Sequence, residues 1–134
     1  MEQKLKHLEF IHNTINRMDT NSFIIKGWCI TLVAALFAII AKESNILHCV
    51  IAVFVIIIFW SLNAYFLQLE RKYRDLYDEV RDKKEEEIDF SMDIKKFSRS
   101  NPFCCSFFSG SLSLFYLPQI ILVMFYTLLI LIGK

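Results

Sequence analysis

Residues 24–41, IIKGWCITLVAALFAIIA, and residues 46–67, ILHCVIAVFVIIIFWSLNAYFL, are separated only by Lys42-Glu43-Ser44-Asn45. At ~1.5 Å rise per residue, two runs of about 18 and 22 residues each match the ~30 Å hydrocarbon core of a bilayer. Such runs around a short polar link predict a transmembrane helical hairpin. A third apolar run follows at 112–132, with Pro118 near its start, where a kink is expected. The fold class is therefore all-α: an integral membrane protein with three transmembrane helices, the first two extended into a cytoplasmic helical stalk.

Composition agrees. The 134 residues suffice for one domain, 55% are hydrophobic, and only 3 Gly and 2 Pro leave little for loops. Mean hydropathy is +0.42. The net charge of +1 hides a segregation, with most charges in the first 26 residues or in 70–99. Cys29 and Cys49 lie inside apolar runs, and Cys104-Cys105 are adjacent, so no C-x-x-C pair forms and all four read as small hydrophobes. About 20 mostly polar residues precede Phe23, unlike a secretory signal, so the first run reads as an uncleaved span.

The flanks carry helical periodicity. In 1–22, Leu8, Ile11, Ile15 and Met18, followed by Ser22 and Ile25, are spaced 3-4-3-4-3, the a/d seam of a heptad. Asp19-Thr20-Asn21-Ser22 could cap a new helix or cross the interface. Transmembrane helix 1 covers 23–41 and helix 2 covers 46–68, joined by an outer turn at 42–45. From Phe66 into the extension 69–88, Leu69, Tyr73, Leu76 and Val80 continue the seam, so span and extension read as one helix from Ile46 to Glu87. The two seams are expected to pack as an antiparallel stalk. In the first span, Ala34 and Ala38 belong to a small-residue stripe suited to close helix approach, a face expected to be protein-buried. Residues 89–111 read as the least regular part, a cytoplasmic or interfacial connector with a turn at Asn101-Pro102. Lys and Arg crowd the side holding the N-terminus and 69–111, whereas Lys42 and Lys134 alone mark the other. The N-terminus is thus expected inside and the C-terminus outside.

Candidate sites are few. Asn63, inside the inner end of a span, must find a hydrogen bond in another helix or in a water-lined pore; both remain open, with Ser61 and Gln68 as companions. The basic residues Arg71, Lys72, Arg74, Arg81, Lys83, Lys84, Lys95, Lys96 and Arg99 form a solvated stalk surface or a receptor for an anionic ligand, which interleaved acids weaken. Tyr73 and Tyr77 could stack on bases. Glu9 and His12 form one Glu-x-x-His, but a di-iron bundle needs two copies plus further carboxylates, so no metal is expected. His48 reads as an interfacial histidine rather than a proton sensor. No nucleophile triad, phosphate-binding glycine loop or catalytic carboxylate pair assembles, so neither an enzyme nor a cofactor is expected.

Leu8-Glu9-Phe10-Ile11, Ile15-Asn16-Arg17-Met18, Asn21-Ser22-Phe23 and Lys26-Gly27-Trp28 resemble the opening of a family of small bacterial membrane proteins. So do Phe59-Trp60 with Tyr65, Glu70-Arg71, Leu76-Tyr77 and Asp89-Phe90-Ser91-Met92-Asp93, over most of the chain. Those proteins look like the membrane effectors of nucleotidyltransferase-linked anti-phage defence, including the Hailong type. The resemblance implies an oligomeric inner-membrane channel that depolarises the cell. Its gate would answer to a product of a neighbouring nucleotidyltransferase, a DNA oligomer in the Hailong case. It carries over no ligand-binding residue.

Three spans cannot wall a water-filled pore alone, so a conducting form must be a homo-oligomeric ring in the lipid bilayer, a tetramer being favoured. The alternative is a non-conducting scaffold whose stalk recruits a cytoplasmic protein.

Overall fold

Ser44 and Asn45 make the turn on which the fold pivots. Ser44 adopts a left-handed conformation (φ 41°) and its N–H bonds the Ile40 carbonyl at 2.8 Å, ending one helix. Asn45 is extended, and its side chain accepts from the Leu47 N–H at 3.0 Å, starting the next. The computed structural model describes residues 1–133, so Lys134 lies outside the described residues. Helix α1 runs over Glu2–Glu43 and α2 over Ile46–Asp82. After 3-10 turns at Glu85–Glu87 and Lys95–Phe97 come a short α3, Phe103–Phe107, and α4, Gly110–Ile132. There is no strand among the described residues. α1, α2 and α4 are each long and apolar enough to cross a membrane, the architecture of a multi-pass membrane protein.

Both hairpin helices pass from apolar to charged sequence without interruption. Asp19–Ser22 caps nothing, because α1 continues through it, and no break occurs at Gln68–Arg71 of α2. Two limits differ from expectation. α1 consumes Lys42 and Glu43, leaving a two-residue turn. α2 stops at Asp82, short of Glu87: Lys83 and Lys84 are extended, and Glu87 caps the following 3-10 turn by accepting from the Lys84 N–H at 3.3 Å.

Two cores form along the hairpin. In the span region Cys29, Val33 and Ile40 of α1 meet Cys49, Ala52, Ile56, Trp60 and Ala64 of α2, with Leu112, Tyr116 and Val123 of α4. In the stalk Ile11 and Ile15 meet Leu76 and Val80, flanked by Leu8, Tyr73 and Tyr77. Met18 and Leu69 are half-buried. The 3.6-residue period carries one stripe of α1 along α2 for its whole length. α4 lies mainly on α2 and reaches α1 through Phe37–Tyr126 and through the Cys29 thiol, 3.6 Å from Gln119 Oε1.

The connector is more ordered than its sequence suggests. It folds back as a strap that packs Ile88, Met92, Ile94 and Phe97 on the stalk core. Glu85 accepts from the Gln3 and Lys4 N–H groups at 2.9 and 3.3 Å and sits 2.6 Å from the Met1 ammonium, so the strap caps the start of α1. These contacts, the Met1 ammonium first, hold the Glu85 carboxyl below its ordinary value. Phe90 takes a left-handed conformation (φ 54°), uncommon for a bulky residue, with its ring beside His7 and Phe10.

Much of the span surface is open apolar side chain, including Phe23, Ile30, Leu47, Phe54, Leu114 and Ile121. A face of this size fits lipid or another protein, not water. Within one chain Ala34 and Ala38 belong to it: the small-residue stripe faces outward, and the larger Val33 and Ile40 fill the hairpin core instead.

Candidate functional site: a polar clasp below a charged stalk

Asn63 is fully buried where α1, α2 and α4 meet. Ser22 of α1 donates to Asn63 Oδ1, and Asn63 Nδ2 donates to the Tyr116 hydroxyl of α4 at 3.0 Å. Tyr116 in turn donates to the Phe59 carbonyl at 3.4 Å. Of the two roles open to Asn63, this geometry is interhelical packing within the chain: the amide joins all three spans. Ser61 and Gln68 do not share its environment. Ser61 is half-buried, and Gln68 donates to the Asn101 carbonyl at 3.0 Å, tying α2 to the strap.

Beside the clasp, the Trp60 indole lies between Phe107 and Tyr116, with ring centroids at 4.5 and 5.8 Å and planes within 7° and 10°. Its N–H donates to the Phe107 carbonyl at 2.7 Å, which holds α3 against α2. On the Ser44–Asn45 side of the clasp the core is apolar: Val33, Ile40, Cys49, Ala52 and Ile56.

Towards the stalk, Glu70 is buried against α1 and receives both Arg74 Nε and Nη2 on Oε1, at 2.9 and 2.7 Å. Asp19 of α1 lies 3.9 Å from the same guanidinium. Burial first, and the Asp19 carboxyl next, push the Glu70 carboxyl above its usual range, against the pull of Arg74.

The basic residues divide into two sets. Arg74 pairs with Glu70, Arg81 with Asp78 and Asp82, Lys83 with Glu79 and Asp89, and Lys96 with Glu79 at 2.5 Å. The Ser91 N–H, followed by Lys83, holds the Asp89 carboxyl below its ordinary value. Arg71, Lys72, Lys84, Lys95 and Arg99 have no carboxylate partner among the described residues. One broad set of nine is therefore two smaller sets with different work to do.

The two-helix stalk has two grooves. The strap fills one. In the other a cleft of about 340 Å³ is lined by His12, Ile15 and Asn16 of α1 and Arg74, Tyr77 and Asp78 of α2. The His12 and Tyr77 rings stand 6.5 Å apart across it. Of the two tyrosines able to stack on a base, Tyr77 faces this cleft, whereas Tyr73 packs on the stalk core. The cleft offers ring faces, one amide and a guanidinium balanced by nearby acids.

His7 is a residue the sequence pattern missed. It is fully buried in the stalk seam one position from Leu8, with Nε2 2.9 Å from the Ser91 carbonyl and Nδ1 buried without a partner. Only the strap, folding over it, makes that position interior.

No protein-family model, curated protein or solved structure matches this chain.

Proposed function

We propose that the protein is an oligomeric effector of the bacterial inner membrane, a channel that depolarises the cell in anti-phage defence. A nucleotide or oligonucleotide bound to its cytoplasmic helices sets the gate. The observation that carries this reading is the continuity of α1 and α2 from stalk to span, which leaves no flexible joint to absorb a change at the stalk.

The apolar core on the turn side of the Asn63 clasp supports a conduit between chains rather than through one. Gly27, Thr31, Ala34, Ala38 and Ala41 face outward on α1, and a Cβ on Gly27 would meet nothing within 4 Å. Nothing inside the chain uses that glycine, which costs a helix about 1 kcal/mol relative to alanine. A second α1 approaching closely would use it, as in a symmetric ring, for which a tetramer is the favoured size. Lys and Arg on the stalk side favour N-terminus inside, C-terminus outside.

The test is ion flux from liposomes holding the purified protein, with and without oligonucleotide. Flux that an oligonucleotide alters supports the proposal; none under either condition overturns it. The pairing of Arg74, Arg81, Lys83 and Lys96 with the chain's own carboxylates favours a second reading, a non-conducting scaffold that recruits a cytoplasmic protein. In a scaffold, Leu76→Asp abolishes function and Asn63→Leu leaves it intact.

A further inference from the structure

Some of the unpaired cations gather where the stalk enters the apolar region. Gln68 donates to the Asn101 carbonyl and Asn101 Nδ2 donates to Asp75 Oδ2 at 2.6 Å, which seats the turn around Asn101 across the 68–75 face of α2. Lys72 lies on that face, one helical turn beyond Gln68. Arg71 is its neighbour, and the exposed Arg99 stands two residues before Asn101. The hairpin register, fixed by Ser22–Asn63 and by Asp19–Arg74, brings Arg17 of α1 to the same level. Arg17 lines the strap-side groove with Phe10, Asn13, Thr14 and Met92. None of the four cations has a carboxylate partner among the described residues, whereas the cations at 74, 81, 83 and 96 are all matched. Directly after the pinned turn, Phe103 and Phe108 are exposed beside the start of α4.

We propose that Arg17, Arg71, Lys72 and Arg99 form a headgroup site for anionic phospholipid on the leaflet facing the stalk, with Phe103 and Phe108 lying along its acyl chains. Unmatched cations around a span end, Arg71 and Lys72 about one helical turn beyond it, beside exposed aromatic rings, suit a phosphodiester whose tails enter the apolar region. Phe103 and Phe108 follow the turn towards the apolar helix α4 rather than the charged stalk, which favours acyl chains over the stacked bases of an oligonucleotide. The inference needs the three helices to span a membrane but not to conduct, and its test reads lipid retention rather than flux.

The experiment is native mass spectrometry of the detergent-purified, full-length protein offered equal amounts of phosphatidylglycerol and phosphatidylcholine. Wild type should retain the anionic lipid on the order of tenfold better. R17Q/K72Q/R99Q should lose that preference, while the charge-keeping R17K/K72R/R99K and the matched-cation variant K83Q/K96Q should keep it. Equal retention of both lipids by wild type, or a preference that survives in the glutamine variant, overturns the site. So does loss of the preference in K83Q/K96Q, or displacement of the lipid by an oligodeoxynucleotide.

Discussion

The Trp60 indole and the Phe107 ring lie 4.5 Å apart and 7° from parallel, and the indole N–H bonds the Phe107 carbonyl. This one pair fixes where the strap re-enters the apolar region. Trp60→Phe keeps an aromatic ring but removes the N–H. The expected cost is about 1 kcal/mol, with faster amide exchange across residues 103–109 and little change in the stalk. Exchange mass spectrometry in detergent checks it.

The Asn63 clasp should behave as a coupled unit. Asn63→Leu removes the acceptor of the Ser22 hydroxyl and one of the two partners of the Tyr116 hydroxyl, at an expected cost of about 1–2 kcal/mol to unfolding in detergent. Tyr116→Phe added to it should cost less than the two single changes summed. Strict additivity in the double-mutant cycle would count against direct coupling.

Leu76 is a core position of the stalk. It is 3% exposed and packs with Ile11, Ile15 and Val80. Leu76→Ala should cost roughly 2–4 kcal/mol, and Leu76→Asp more, since it buries a charge with no partner. Helicity lost from the stalk, with Trp60 fluorescence unchanged, would show that the two cores fail separately.

Glu70 gives the stalk a pH dependence of definite sign. Its carboxyl pKa in the fold lies above the ordinary 4.5, so the fold favours the protonated form. That contribution is full below the ordinary value and is lost as pH rises through the raised one. Glu85 and Asp89 act oppositely: both are lowered, and their contributions fade as pH falls below the ordinary 4.5 and 3.8. Thermal midpoints across pH should therefore fall on the higher-pH side in wild type. In Glu70→Gln that decline should be absent.

The parts of this fold that are local were legible from residue order. The hairpin, the three spans and the stalk follow from run length and from the period that brings Ile11, Ile15, Leu76 and Val80 together. The strap was not, because Ile88, Phe90, Met92 and Ile94 alternate with polar residues as a strand would, yet they form no strand and Phe90 turns left-handed. That alternation was the available signal of an apolar face needing a partner. α1 also carries two repeating faces, and periodicity alone does not say which one meets α2. The larger side chains of Val33 and Ile40 decided it, leaving Ala34 and Ala38 outside. The Asn63 amide was recognisable as a group needing a partner, but Ser22 and Tyr116 lie 41 and 53 residues away.

The Glu85 carboxylate on the Gln3 and Lys4 amides closes the hairpin at the end opposite Ser44–Asn45. Two long rods tied at both tips cannot slide lengthwise past each other without breaking one tie. Rotation about their long axes and common bending are the motions left. A force applied to the stalk would then reach the bilayer as twist or tilt, and severing Glu85 would free only the tip of the stalk, because Ser22–Asn63 still holds the register nearer the spans.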